Sequence, residues 1–281
     1  MLQNLKSILI GITYDAGEDD KPSSALAYGL SLAHQANAHV TALSTAIRLT
    51  GPHSVLSSLM QDLVGQENRR LAALARAAGE KATSVASLEG LSCTTENLQL
   101  SYNELVDIFT ARARVNDLAV LDAENTPLSA DRGLIYAAVF ESGRPAIVVP
   151  ARVTEFKGER ILIAWDGSAR ASRAVHDALP FLLAASSVSI VQVSGDKDLS
   201  KSVPGGELKA YLASHGIAAE VTDLPAKSGE AVDALRRHAA DNGFDMIVMG
   251  AFVRSWIRQI TLGGFTRALL DESPVPVFLA H

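Results

Sequence analysis

The chain has 281 residues, 48% of them hydrophobic and 5% aromatic, enough to bury a sizeable core in one or two domains of about 100 to 200 residues each. Its 25 basic and 31 acidic residues leave a net charge of −6, which gives no basic footprint for nucleic acid or for an anionic membrane. The single Cys93 excludes an internal disulfide and a thiolate metal site of its own. It reads as a half-buried structural thiol.

The first apolar run, Ile8 to Ile12, is far below the roughly 20 residues needed to span a bilayer. With no charged-then-apolar leader ahead of it, the expected location is the cytoplasm, with no membrane partner. Strands are then expected at Ser7–Ile12, Val40–Thr45, Ser92–Glu96, Leu118–Leu121 and Ala146–Val149. Between the second and third lies a long helix, about Val55–Ser84, rich in Leu and Ala at helical spacing. RVTEFKG, Arg152 to Gly158, follows as a short polar bridge.

Beyond the bridge the order repeats. A strand at Arg160–Trp165, a helix at Ser168–Leu183, a strand at Val188–Val193, a short helix near Glu207–His215 and a strand at Ala219–Leu224 come first. A helix at Gly229–Asn242, a strand at Met246–Met249, a glycine-bearing loop, a helix at Phe265–Leu270 and a strand opened by Pro276 complete it. The repeat is visible in the residues: KSILIGIT (Lys6–Thr13) answers ERILIAWD (Glu159–Asp166). Likewise NDLAVLD (Asn116–Asp122) answers FDMIVMG (Phe244–Gly250), and GRPAIVVP (Gly143–Pro150) answers SPVPVFLAH (Ser273–His281). Strands alternating with helices imply βαβ crossovers and a mainly parallel sheet, so the expected class is α/β with two tandem doubly wound domains, residues 1–151 and 158–281. So short a bridge implies that the two copies pack together.

ILIAWDGS at Ile161–Ser168, with MGAFVRSWIRQITLGGFTRALL at Met249–Leu270, resembles the universal stress protein family, and the order along both copies resembles a tandem member of it. The resemblance implies a five-stranded parallel sheet between helices in each copy, with the two copies paired as an internal pseudo-dimer, and it leaves room for a further homodimer. It also implies a stress-response protein without catalytic residues whose ligand is ATP or another adenine nucleotide, with no metal beyond a nucleotide-associated Mg. The nucleotide-binding pattern runs from an acidic residue ending the first strand through glycine, two residues, glycine, nine residues, glycine and a hydroxyl. Asp166, Gly250 and Gly263 fit it; Val253 stands at the second glycine and Gly264 at the hydroxyl, with Thr266 two residues on. The implied site is therefore Asp166, the strand end at Gln192 and Val193, Gly250, Val253, Arg254, Gly263, Gly264, Phe265 and Thr266.

Physical chemistry weakens that cradle without abolishing it. β-branched Val253 resists a left-handed backbone, and Gly264 removes a hydroxyl donor worth about 1 to 2 kcal/mol, or roughly tenfold in affinity. Helix-start N–H groups after Gly263 and the charges of Arg254 and Arg258 still favour an anion. In the first copy Thr13 replaces Asp166 and Asp122 replaces Gly250, and the loop carries Glu124 and Asp131, so that copy is expected to repel phosphate.

Two further readings stay open. One is a partner-binding module with both pockets vestigial, offering Phe252, Trp256 and Ile257 to another chain; the other is a weak ATPase, for which Asp166 is the single carboxylate at hand. No G-x-x-x-x-G-K-[ST], G-x-G-x-x-G or G-x-S-x-G occurs at a strand end. The seven histidines, His34, His39, His53 and His215 among them, lack metal-ligand spacing.

Overall fold

The computed structural model describes residues 2, 4–17, 22–50, 58–123, 130–194, 203–227, 229–251, 253–256, 259–262 and 264–281, with backbone alone for 58, 59, 253–256 and 259–262. The first half runs β1 (Ser7–Tyr14), α1 (Ser24–Ala36), β2 (His39–Ile47), α2 (Ser58–Leu88), β3 (Cys93–Leu100), α3 (Tyr102–Arg114), β4 (Leu118–Asp122), α4 (Asp131–Phe140) and β5 (Ala146–Val149). The second runs β6 (Arg160–Ala164), α5 (Ala169–Asp177), α6 (Leu179–Ala184), β7 (Ser187–Ser194), α7 (Gly205–Ser214), β8 (Ala219–Pro225), α8 (Ala231–Asp241), β9 (Met246–Gly250), β10 (Val253–Trp256), β11 (Gln259–Leu262), α9 (Gly264–Asp271) and β12 (Val277–Ala280).

Among the described residues, ten strands make one sheet in the order β3-β2-β1-β4-β5-β12-β9-β6-β7-β8. The ten strands make nine pairings: eight are parallel and lie within the halves, and the ninth, β5 with β12, is antiparallel. Strands such as AIVV and MIVM are apolar along their whole length because parallel strands are covered on both faces. One apolar layer joins α1, α2, α5, α6 and α7 to the sheet, and the other joins α3, α4, α8 and α9. Both layers run through the two halves without a break. The outcome is the expected α/β class.

The seam follows from the repeat. Val120 pairs with Ile147 and Val248 with Phe278, so Ile147 and Phe278 hold corresponding places, and they are partners of each other across the antiparallel seam. A local two-fold relation therefore passes through that pair. The strand starts are anchored alike: Asp117 accepts the N–H groups of Lys6 (2.8 Å) and Ser7 (3.0 Å), and Asp245 accepts those of Glu159 (2.9 Å) and Arg160 (3.0 Å).

Three expectations change. The bridge at 152–158 is more than polar: Phe156 is buried, its ring lies 5.7 Å from Tyr28 and 5.9 Å from Phe181, and Phe181 continues to Phe278 at 5.6 Å. Its backbone is tied to α1, its N–H donating to Ser31 Oγ and its carbonyl accepting from Gln35 Nε2. The helix expected over Ser168–Leu183 is two helices, since Pro180 has no N–H to continue α5 and so opens α6. The segment after Gly250 holds an antiparallel hairpin, Val253 opposite Leu262 and Trp256 opposite Gln259, where a loop was expected.

Candidate functional site

The strand order places the site. From β6 the chain crosses to β7 and β8 on one side, while β9 and β12 lie on the other, so the order reverses between β6 and β9. In open α/β sheets the crevice outside the carboxyl ends of the strands at such a reversal accepts ligands. Asp166 follows β6, Gly250 ends β9, and Val193 lies near the end of β7, so these three expected residues stand at the carboxyl ends of three adjacent strands.

Each has a local cause. Trp165 N–H extends the ladder by donating to Val191 O (2.9 Å), and the chain then turns: Asp166 Oδ1 accepts the Ser168 N–H (3.1 Å), Gly167 takes φ +69°, and Ser168 Oγ accepts the Ala171 N–H (3.2 Å) to cap α5. Half-buried Asp166 thus holds the strand-to-helix turn. Gln192 is committed elsewhere, its Oε1 accepting the Gly205 N–H (2.8 Å) at the start of α7.

Gly250 answers first to packing. A Cβ there would lie 2.5 Å from Ala171 N and 2.5 Å from the Arg170 carbonyl carbon, so the missing side chain lets α5 approach β9. Gly264 is exposed and opens α9, Phe265 is half-buried, and Thr266 is fully buried in the first turn of that helix. The backbone of Val253 and Arg254 lies in β10, opposite Leu262 and Thr261. Their side chains and that of Trp256, with Gly263, Phe252, Ile257 and Arg258, lie outside the described residues.

The first half shows what replaced the site. By strand register Thr13 corresponds to Asp166, Thr45 to Val193 and Asp122 to Gly250. Asp122 accepts the Ser23 hydroxyl (2.6 Å) and the Ala25 N–H (2.8 Å), so its carboxylate caps α1. Burial pushes its carboxyl above the usual carboxylate range despite those donors. Asp131 is likewise buried, at the start of α4. The acidic loop expected to repel phosphate is thus in part a set of helix-start carboxylates, with Glu124 outside the described residues.

Thr13 and Thr45 are register partners, and the Oγ1 of each is buried with no hydrogen-bond partner. Sequence reasoning singles out Thr13 and passes over Thr45, whose one signal is its place at the end of the strand expected over Val40–Thr45. Among the described residues no group of three or more His, Cys, Asp or Glu is placed to hold a metal, and no helix is long and apolar enough to cross a membrane.

Residues 158–281 match the profile of the Universal stress protein family. Universal stress protein Slr1230 of Synechocystis is 29% identical over 136 residues, 48% of this chain and 46% of that protein, so the chain spans less than half the length of that curated relative. A universal stress protein structure from Archaeoglobus fulgidus superposes with a TM-score of 0.66 at 16% identity, covering 99% of this chain and 98% of that one. A functionally unknown protein from Pseudomonas aeruginosa PAO1 superposes at 0.58 and 17% identity, covering 99% and 93%. At such identities the two structures speak for the fold along the whole chain.

Proposed function

Starting from residues 158–281 as a universal stress protein domain, we propose that the chain is a non-catalytic stress-response protein of tandem universal stress type, whose second half holds an adenine nucleotide loosely. The adenosine lies across the strand ends at Asp166, Val193 and Gly250. The phosphates lie toward Gly263, Gly264, Phe265 and Thr266 at the start of α9, beside Val253 and Arg254. The observation that carries this reading is the coincidence of Asp166 and Gly250 with the reversal of strand order between β6 and β9. A carboxylate there accepts ribose hydroxyl hydrogens, and the start of α9 favours negative charge. The first half serves as its packing partner, with Asp122 closing the corresponding place against α1. Any metal would arrive with the nucleotide as Mg.

Calorimetry with ATP, ADP and AMP tests the proposal. Heat of binding and a thermal shift at millimolar nucleotide are expected, reduced in Asp166→Ala; no heat and no shift would refute it.

A second reading draws on the hairpin. β10 and β11 pair their backbone groups with each other, and the Thr266 side chain is fully buried, which suits a partner-binding module with vestigial pockets. In that case the mass in solution changes in Trp256→Ala while nucleotides give no heat.

A further inference from the structure

The second half has a cavity on its opposite face. It measures about 400 Å³ and lies between α5 and α7. Trp165, Val175 and Leu208 line it and belong to the apolar layer on the α5 and α7 side, whereas Val191 and its neighbours at the nucleotide end belong to the other layer. The volume falls within the range of small-molecule sites.

Its walls are fixed before any ligand arrives. The Trp165 indole N–H donates to Val203 O (2.8 Å), and its backbone N–H is held by Val191 O. Gln192 holds the first turn of α7, and the Tyr211 ring packs on the His215 ring at 4.7 Å. Val203 and Tyr211, at the rim, stay 43% and 39% exposed, a cost in apolar surface that a ligand would relieve.

The charge of the lining selects the ligand. Among the described residues that line it, Glu207 is the only carboxylate and there is neither lysine nor arginine. The starts of α5 at Gly167 to Ala169 and of α7 beside Glu207 offer the opposite sign, but a helix terminus carries roughly half a charge, and Ser168 already engages one N–H of α5 and Gln192 one of α7. A full carboxylate outweighs that remainder. The aromatic faces of Trp165 and Tyr211 also attract a cation.

We propose that this cavity binds a small apolar amine, its hydrocarbon body against Trp165, Val175 and Leu208 and its ammonium group at Glu207. The site adjoins the turn that Asp166 holds, since Gly167 and Ser168 line it, but its apolar walls belong to the layer on the α5 and α7 side.

The chain has two tryptophans, so Trp256→Phe leaves Trp165 as the sole reporter at the site. Phenethylamine is expected to change its emission saturably, and 3-phenylpropanoate, the charge-reversed probe, is expected to leave it unchanged. Glu207→Gln, at an exposed position, should weaken phenethylamine binding about tenfold or more, the loss of one charge-assisted contact. Calorimetry on the unaltered chain gives an independent reading of the same affinities. No saturable response to phenethylamine up to about 10 mM, equal binding of both probes, or full binding in Glu207→Gln would each overturn the proposal.

Discussion

Replacing Thr45 by valine should stabilise this protein, contrary to the usual outcome of a core substitution. Thr45 is fully buried on β2 and its Oγ1 has no hydrogen-bond partner; Thr13, its register partner on β1, is half-buried, but its Oγ1 is likewise buried and without a partner. A buried hydroxyl without a partner costs about 1 to 3 kcal/mol, the price of stripping its water. Valine has the same shape and β-branching, so strand preference and packing volume hardly change and the penalty is simply removed. A gain of roughly 1 to 3 kcal/mol, or about 2 to 4 °C in Tm for each kcal/mol in a chain of this size, is expected. Urea denaturation of wild type, Thr45→Val, Thr13→Val and the double variant measures it. The double variant should give close to the sum of the singles if each hydroxyl stands alone. A loss of stability in Thr45→Val would refute the reasoning and show that solvent or a ligand bridges the pair in solution.

Gly250→Ala should cost about 1 to 3 kcal/mol by thermal melting, because its Cβ would meet α5 backbone at 2.5 Å; an equal loss with and without ATP identifies packing as the cause. Phe156→Ala should lower stability by about 3 to 5 kcal/mol in denaturant, since it removes the ring linking Tyr28 to Phe181, and a loss below about 1 kcal/mol would refute that role. For Asp122 the folded carboxyl is raised, so the folded chain binds more protons than the unfolded one above the ordinary carboxylate range. Its contribution therefore falls as pH rises from about 4, and the stability of wild type relative to Asp122→Asn should decline over that interval. A flat difference between the two melting series would contradict it.

Much of the fold was legible in the chain because it depends on local pattern. Uniformly apolar runs such as Ala146–Val149 identify parallel strands buried on both faces, and the repeat of KSILIGIT in ERILIAWD requires the same element twice. The break at Pro180 had its signal in the chain, since a proline removes a helix donor wherever it stands, yet the helix expected over Ser168–Leu183 runs straight through it. The candidate site was only half legible. Asp166 and Gly250 sit at the ends of patterned strands, but the hairpin at Val253–Leu262 depends on which backbone groups face each other, and the sequence there shows no turn signal that would identify it.

What the sequence determined by itself is the tandem α/β order, because periodicity and strand ends are properties of neighbours along the chain. Only the tertiary structure decided that Ile147 meets Phe278, that Phe156 fills the seam, that Gly250 is small for the sake of α5, and that Asp122 caps α1 where its counterpart leaves room. Each of those is a contact between residues far apart in sequence. Their energies arise from packing, burial and paired donors, which exist only once the chain has brought them together.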